Sequence, residues 1–320
     1  MVPAFFSKAM ILFNCDYSEG AHADILRRMA ETNMEQTAGY GEDPYCDQAR
    51  KLIAGLCGRT DLDIHFLIGG TQTNFTVIAA ALRPHQCVLC ADTGHINVHE
   101  SGAVEACGHK VSAIPSPDGK LTARQIEEAW HAHWDDETRE HMPQPRMVYI
   151  SQPTELGTIY SRKELQEISG VCRRRGLYLY MDGARLGYGL CDEDNDLDLP
   201  AIASLCDAFY IGGTKVGALF GEALVLRHEA LKEDFRYIAK QKGGRLAKGR
   251  LLGIQFLELF RDGLYFRLGA HADRLAVMLR DFCRSRGLSL PFSSGTNQQF
   301  VTMPDSVLEE LGRKYGFAYL

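Results

Sequence analysis

The feature that most constrains the fold is a regular alternation of short apolar runs with longer runs of helical spacing. Residues 64–68 and 147–150 have the composition of buried strands, whereas residues 163–175 carry apolar side chains at helical intervals. Alternating β and α units predict an α/β fold, in which a mostly parallel sheet is covered by helices in three layers. Because 320 residues exceed one average domain, we expect a large domain at 1–240 and a smaller α+β domain at 241–320.

One lysine follows an apolar, aromatic run. The segment 207–218 begins like a buried strand, breaks at Gly212 and Gly213, and then places Lys215 in a turn of small residues. A lysine held among Gly, Thr, Val and Ala can be partly desolvated, which lowers the pKa of its amine and suits it to Schiff-base chemistry. The alternative is an ordinary surface lysine in a loop.

A second strand-like run, 177–181, ends in Asp182 and Arg185. Ligands of open α/β sheets bind at the carboxyl ends of the strands. A cofactor with a pyridinium nitrogen, a phenolic oxygen and an aldehyde needs an acid, a cation and a lysine, and Asp182, Arg185 and Lys215 supply that set. A structural salt bridge between Asp182 and Arg185 is the alternative.

Glycines follow the strand at 64–68 directly and open a helix. The backbone N–H groups of Gly70, Thr71 and Gln72 would point outward at the helix N-terminus, where the helix dipole favours an anion. The spacing matches neither a P-loop nor a dinucleotide fingerprint, so we expect a single phosphate rather than a pyrophosphate. The alternative is a tight glycine turn in which threonine caps the helix.

A polar segment follows the next strand-like run, 88–91. His95 lies just beyond the strand end, where a histidine can lie flat on a planar cofactor or exchange protons near neutral pH. His99 and Glu100 are expected to support it, although either residue could instead cap a helix that begins near Glu100.

Composition restricts the partners. A net charge of -6 and a pI near 6.0 give no reason to expect nucleic acid or an anionic membrane as a partner. No run approaches the ~18 apolar residues of a membrane span, and Met1–Lys8 lacks the apolar region of a signal peptide. We therefore expect a cytoplasmic protein that acts on small molecules.

The ten cysteines lie in apolar segments of a chain without an export signal, which favours reduced, buried thiols. Cys87, Cys90, His95 and His99 have the spacing of metal ligands, but cysteines three apart on a strand face opposite sides, so no metal is expected. Asn74-Phe75-Thr76 is a glycosylation sequon that a cytosolic chain would not use.

Five motifs together resemble one family. They are Gly-Tyr-Gly-Glu-Asp-Pro at 39–44, Gly-Gly-Thr-Gln-Thr-Asn at 69–74, Thr-Gly-His-Ile-Asn-Val-His-Glu at 93–100, Met-Asp-Gly-Ala-Arg at 181–185 and Gly-Gly-Thr-Lys at 212–215. In this order, over nearly the whole chain, they resemble the low-specificity L-threonine aldolase group. That group belongs to the β-eliminating lyase family of pyridoxal-phosphate enzymes, which have the aspartate-aminotransferase-type fold, fold type I.

The resemblance implies a role for each matching residue. Lys215 would form the internal aldimine, Asp182 would pair with the pyridine nitrogen, and His95 would stack on the ring. Arg185 would lie by the phenolic oxygen and the substrate carboxylate. The glycine turn would hold the phosphate of pyridoxal 5'-phosphate.

The resemblance also implies a reaction, the cleavage of β-hydroxy-α-amino acids, with threonine giving glycine and acetaldehyde. His95, His99 or a water held by them would take the β-hydroxyl proton. The alternatives are β-elimination or racemisation at the same cofactor site, and a cofactor-binding protein of weak or lost activity.

The family works as homodimers or homotetramers with sites at subunit interfaces, so Tyr40 and the basic segment Lys242–Arg250 are candidates to reach a neighbour's site. Two departures bear on substrate binding. Cys15 stands where related enzymes place a serine or asparagine that helps to hold the substrate. The chain reaches Leu320 where such enzymes continue into a strand with another carboxylate-binding arginine, so the smaller domain is expected to be incomplete.

Overall fold

The computed structural model describes residues 10–319, and the expectations for Met1–Lys8 and Leu320 lie outside this range. The strands are β1 Ile11–Leu12, β2 Asp63–Leu67, β3 Gln86–Ala91, β4 Lys110–Ile114, β5 Gln144–Ser151, β6 Tyr178–Asp182, β7 Ala208–Gly212, β8 Glu222–Leu226 and β9 Tyr315–Gly316. The helices are α1 Ala23–Glu31, α2 Pro44–Leu56, α3 Gly70–Ala81, α4 His95–Val98, α5 Ala103–Ala106, α6 Ala123–Trp134, α7 Arg162–Arg175, α8 Leu186–Cys191, α9 Leu199–Leu205, α10 Glu229–Lys232, α11 Phe235–Gln241, α12 Arg250–Arg261, α13 Leu264–Ser285 and α14 Asp305–Leu311.

The central sheet has seven strands in the order β2-β8-β7-β6-β5-β3-β4. Strands β4, β3, β5, β6 and β7 pair in parallel, whereas β8 runs antiparallel to both of its neighbours, β2 and β7. Strand β2 therefore points the same way as the parallel strands. The carboxyl ends of six strands meet at one edge of the sheet, and the amino end of β8 joins them there.

Helices cover both faces of this sheet. Phe209 and Val225 point to one face and pack with helices α2, α7, α9 and α12. Tyr180 and Leu224, which point to the other face, pack with α3 and α11. Both faces are buried, which explains why these strands are nearly continuous apolar runs. The structure confirms the predicted three-layer α/β arrangement with a mostly parallel sheet.

Local sequence signals explain where the connecting helices begin and end. Helix α7 starts with a capping box, in which the Glu164 N–H donates to the Ser161 hydroxyl and the Ser161 N–H donates to the Glu164 carboxylate at 2.8 Å. It ends at Gly176, whose φ of +65° is the left-handed conformation that glycine adopts without strain. Thr122 and Gln125 form the same capping box at the start of α6.

The sequence pattern also predicts short strands at 289–291 and 299–302 and one helix at 229–237, and the structure differs from all three predictions. The runs 289–291 and 299–302 form no strands in the described chain, although Ser289 and Thr302 share one isolated bridge. Pro291 cannot donate a ladder hydrogen bond, which limits the pairing to that bridge. The helix expected at 229–237 divides into α10 and α11 because Asp234 takes a left-handed φ of 55°.

The N-terminal arm lies against the C-terminal residues. Strand β1 pairs in parallel with β9, and the ring of Phe13 stacks on Phe317 with centroids 6.1 Å apart. Residues 10–319 contain no helix with the length and apolar character that a transmembrane span requires.

Candidate active site

The site residues predicted from the sequence lie at or just after the carboxyl ends of strands, at one edge of the sheet. Gly70 follows β2, His95 follows β3, Asp182 ends β6, and Lys215 follows β7. Because β8 is antiparallel, it begins at the same edge, where Glu222 lies opposite Gly212. The fold thus brings together residues that are up to 152 positions apart in the sequence, as the topology of open α/β sheets predicts.

Lys215 lies in a tight turn that requires glycine at two of its positions. A Cβ on Gly213 would meet the Gly221 carbonyl oxygen at 2.8 Å, and Gly217 has a φ of +90°. The amine of Lys215 lies 5.9 Å from the centre of the Tyr17 ring. Burial, and then the positive charge of Arg185, lower the pKa of the Lys215 amine below its ordinary value. These surroundings differ from those of a solvated surface lysine.

Asp182 is buried and held by four donors. The hydroxyls of Tyr149 and Tyr210 each donate to its carboxylate at 2.6 Å, and the Ala184 N–H and the Asn74 amide donate at 2.9 Å. Burial alone would raise the pKa of Asp182. The charge of His95 and the two tyrosine hydroxyls outweigh it, so the pKa lies below its ordinary value. A buried carboxylate in this state suits a protonated ring nitrogen.

Arg185 pairs with Asp16 of the N-terminal arm and not with Asp182. Its Nε donates to Asp16 Oδ2 at 2.7 Å and its Nη2 donates to Oδ1 at 3.2 Å. The Asn297 amide also donates to Asp16 Oδ2, at 2.9 Å. Burial would raise the pKa of Asp16, but the charges of Arg185 and Lys215 bring it below its ordinary value. The Asp182–Arg185 salt bridge that was the alternative does not form.

Cys15 precedes this aspartate but makes a different contact. Its Sγ lies 3.0 Å from the Ser18 hydroxyl, within the arm itself. Asp16, one residue on, is the arm residue that reaches Arg185. The predicted contact of Cys15 with substrate stays a prediction.

The glycine turn opens α3 as expected. Gly69 is its N-cap and no side chain caps the helix, so the alternative in which threonine caps it does not apply. The first-turn N–H groups of Gly70, Thr71 and Gln72 have no intrahelical acceptors, which is the arrangement that binds anions. The Gln72 side chain is already used, because its Nε2 donates to the Lys242 carbonyl at 3.1 Å. A phosphate would therefore be bound by the backbone of this turn.

His95 begins the short helix α4, and Glu100 orients its ring. The His95 Nδ1 lies 2.8 Å from Glu100 Oε1, and the rings of His95 and His99 are 5.5 Å apart. Burial would lower the pKa of His95, but the hydrogen bond to Glu100 and the charge of Asp182 raise it. His99 is exposed, and its pKa is lowered by partial burial and by the charges of His95, Arg185 and Lys215. The pKa values of the two histidines are therefore shifted in opposite directions.

The basic segment Lys242–Arg250 and Tyr40 lie together on the phosphate side of the site. The Arg245 guanidinium donates to the Tyr40 carbonyl at 2.9 Å, and the Lys240 amine lies 4.4 Å from the centre of the Tyr40 ring. Gln72 joins the same segment to the glycine turn. The segment is thus placed beside the candidate cofactor site.

Sequence reasoning missed several polar residues of the site. Tyr149, Tyr210 and Asn74 hold Asp182. Glu155 accepts the His95 N–H at 3.0 Å, and Glu222 accepts the Gly213 N–H at 3.1 Å. Burial raises the pKa of Glu222 to about 8 and also raises the pKa of Glu155. The alternation of side chains along a strand could have identified two of the tyrosines. Tyr180 lies two residues before Asp182 on β6 and therefore shares its face of the sheet, and Tyr149 lies opposite Tyr180 on β5.

The residues present fit pyridoxal phosphate. A partly buried amine with a lowered pKa matches the aldehyde, the ionised Asp182 matches the ring nitrogen, and the uncapped start of α3 matches the phosphate. Gly70 keeps this turn close to the sheet, since a Cβ there would meet the Tyr210 hydroxyl at 3.0 Å.

Comparisons with known proteins agree with this geometry. A profile of the β-eliminating lyase family matches residues 15–306. A low-specificity L-threonine aldolase of Pseudomonas sp. (strain NCIMB 10558) is 33% identical over 313 residues, which cover 94% of this chain and 87% of the relative. A solved structure of a Leishmania major threonine aldolase is 47% identical with a TM-score of 0.93, covering 95% of this chain and 88% of that one.

A Thermus thermophilus aspartate aminotransferase mutant has a TM-score of 0.70 at 14% identity, covering 96% of this chain and 82% of that one, and it shows the fold alone. The architecture is that of fold type I, and the enzymes of this family and fold depend on pyridoxal phosphate. Because the family profile spans most of the sequence and the relative from Pseudomonas covers nearly all of it, the chain belongs to the β-eliminating lyase family.

Proposed function

We propose that this protein is a pyridoxal-phosphate-dependent aldolase that cleaves L-threonine and L-allo-threonine to glycine and acetaldehyde. One observation carries the proposal: a partly desolvated lysine, an ionised buried aspartate and an uncapped helix start lie at the same sheet edge. Relatives named low-specificity L-threonine aldolase, at 33% and 32% identity, support this substrate class.

Four groups would hold the cofactor. Lys215 supplies the amine that binds the aldehyde, and Asp182 keeps a proton on the ring nitrogen. The backbone of the glycine turn, from Gly70 to Gln72, binds the phosphate, while His95 lies against the ring. When bound, the cofactor supplies an electron sink for the negative charge that develops at Cα of the substrate.

The remaining residues bind the substrate and move its protons. Arg185 binds the substrate carboxylate, and Cys15 and Asp16 border the same space from the arm. His99 accepts the β-hydroxyl proton, because its lowered pKa leaves the imidazole neutral near pH 7. His95, with its raised pKa, keeps its proton and is oriented by Glu100. Two neighbouring groups whose pKa values are shifted in opposite directions can serve as a proton donor and a proton acceptor at the same pH.

The test combines cofactor binding with two substrates. Purified protein is mixed with pyridoxal phosphate, its visible absorption is recorded, and acetaldehyde is assayed with each threonine isomer. Lys215→Ala should lose both the visible band and the permanent covalent attachment of the cofactor that borohydride reduction produces, whereas Lys163→Ala, at an exposed lysine on α7, should keep both. A band without cleavage of either isomer would sink the aldolase assignment.

The same experiment separates the other reactions of such a site. Pyruvate released from L-serine would indicate β-elimination, and loss of optical activity without cleavage would indicate a racemase. A protein that binds the cofactor and turns over none of these amino acids would be a binding protein of lost activity.

We also propose that the protein is cytoplasmic and works as a homodimer or homotetramer. Tyr40 and the Lys242–Arg250 segment would then reach the neighbouring subunit's site. The division into a large domain at 1–240 and a smaller one at 241–320 belongs to the same proposal. Light scattering of the holoenzyme measures the mass, and a monomer of full activity would contradict the shared site.

A further inference from the structure

Asn74 lies at the centre of the site, although its sequence context is that of a glycosylation sequon. It is on α3, with no exposed surface. Its Nδ2 donates to Glu100 Oε1 at 2.7 Å and to Asp182 Oδ2 at 2.9 Å. One amide nitrogen therefore joins two carboxylates, one at the end of β6 and the other just after α4.

The orientation of the amide is fixed from its other end. The Tyr180 hydroxyl donates to Asn74 Oδ1 at 2.7 Å, so the oxygen faces tyrosine and the nitrogen faces the carboxylates. Both amide hydrogens are used, one for each acid. A flipped amide would place its oxygen against two carboxylates and leave the tyrosine hydroxyl facing an N–H donor.

The bridge connects the two parts of the site that contact the cofactor. Glu100 is also the partner of His95 Nδ1, at 2.8 Å, and Asp182 is the partner expected for the ring nitrogen. The Asn74 amide is thus the neutral link between the histidine and the aspartate. The titratable groups that bond to the bridge or interact electrostatically with it are His95, Glu100, Tyr149, Glu155, Tyr180, Asp182, Tyr210, Lys215 and Glu222.

We propose that Asn74 is a positioning residue that holds the side chains of Glu100 and Asp182 next to each other, and so sets both the orientation of His95 and the interaction of Asp182 with the ring nitrogen. The proposal rests on the proposed cofactor site. Without this donor, the two side chains would lose a shared hydrogen-bond partner, and Asp182 would be a weaker partner for the ring nitrogen.

The competing explanation is purely structural. A buried amide can simply join α3 to β6, and its loss would then lower stability without changing the chemistry of the site. The two explanations differ in the cofactor's spectrum. A weaker carboxylate partner leaves less positive charge on the ring, and a less positive ring makes the lysine-bound nitrogen more basic.

The test uses three variants of the holoenzyme. Asn74→Leu removes both donors at similar volume, and Asn74→Asp keeps the shape but can donate at most one hydrogen. Ile78→Ala is the matched control, because Ile78 is fully buried on the same helix and has no polar side-chain atom. Each protein is measured for thermal midpoint, for kcat and KM with L-threonine, and for the pH midpoint of the cofactor's visible band.

For Asn74→Leu we expect the band midpoint to move upward by roughly half a pH unit or more, and kcat to fall about 10- to 100-fold, as loss of a hydrogen bond to a charged group implies. KM should change less than about threefold, since Arg185 is untouched. Asn74→Asp should move both values in the same direction, and Ile78→Ala should lower only the thermal midpoint.

The proposal is overturned if Asn74→Leu and Asn74→Asp leave the band midpoint and kcat where Ile78→Ala leaves them. If Asn74→Leu does not fold, Asn74→Asp alone decides the question by the same comparison. Absence of any cofactor band in the unmodified protein would instead refute the proposed function, so the two failures are distinguishable.

Discussion

The arm residue Asp16 offers a sharp test of how Arg185 is prepared for a substrate carboxylate. Its carboxylate takes the Nε and Nη2 donors of Arg185 at 2.7 and 3.2 Å, and this leaves the Nη1 end free of Asp16. The pair is mostly enclosed, with 18% of the arginine and 15% of the aspartate side chain exposed. Asp16 therefore orients the guanidinium and leaves Nη1, the end that would bind a substrate carboxylate, without a contact to Asp16.

Asp16→Asn keeps the shape and one acceptor but removes the charge. A hydrogen bond to a charged group contributes about 1.5–3 kcal/mol, and the asparagine oxygen retains roughly half of what the bidentate pair supplies. We therefore expect about 1.4 kcal/mol less binding of the substrate carboxylate, which is a tenfold rise in KM. The value of kcat should fall less than about threefold, because Asp182 and Lys215 are unchanged.

The assay is acetaldehyde release from L-threonine over a range of substrate concentrations. Glu19→Gln is the matched control, because Glu19 is an exposed acid on the same arm and its loss removes the same charge. It should leave KM within about twofold, since exposed charges contribute little. If Asp16→Asn also leaves KM within twofold, or lowers it, Arg185 does not depend on Asp16 and the reasoning fails.

Three further predictions follow from single residues. His99→Asn should lower kcat at least about tenfold. Because the pKa of His99 is lowered from 6.5, the unmodified enzyme should lose activity only as the pH falls below 6.5, and a pH–rate profile of both proteins measures both effects. Glu222 has a folded-state pKa of about 8, above its unfolded value, so stability should fall as the pH rises from 4.5 to about 8, and Glu222→Gln should flatten that dependence in thermal melts. Phe209→Ala, at a fully buried position on β7, should cost about 3–5 kcal/mol in denaturant unfolding.

The sequence was sufficient for the α/β class of the fold and for several strands of the central sheet. Strand ends could be recognised because apolar runs break at Gly-Gly pairs or at polar residues, as at Gly212 and Asp182. Local patterns could not show the antiparallel direction of β8, because β8 is an apolar run like its parallel neighbours. The position of Glu222 beside the lysine turn follows only from that direction.

The contacts of Asn74 and Asp16 were also outside the reach of local patterns. Asn74 meets Asp182 across 108 positions of sequence, and Asp16 meets Arg185 across 169. From the sequence, Asn74 is only part of a glycosylation sequon, and the arm residue predicted to bind substrate is Cys15, not Asp16. Long-range polar pairing depends on which strand ends become neighbours, and that is a property of the whole sheet.

Within residues 10–319, the hydrogen bonds that stabilise the ionised Asp182 use none of the positively charged side chains of the site. Its partners are two tyrosine hydroxyls, an amide and a backbone N–H, all of them neutral donors. A lysine or arginine in their place would compete with the ring nitrogen for the same carboxylate. Arg185 is paired with Asp16 of the N-terminal arm, and the charge of Arg185 still lowers the pKa of the Lys215 amine. Because neutral groups donate to Asp182, this edge of the sheet can hold a carboxylate, a guanidinium and an amine close together.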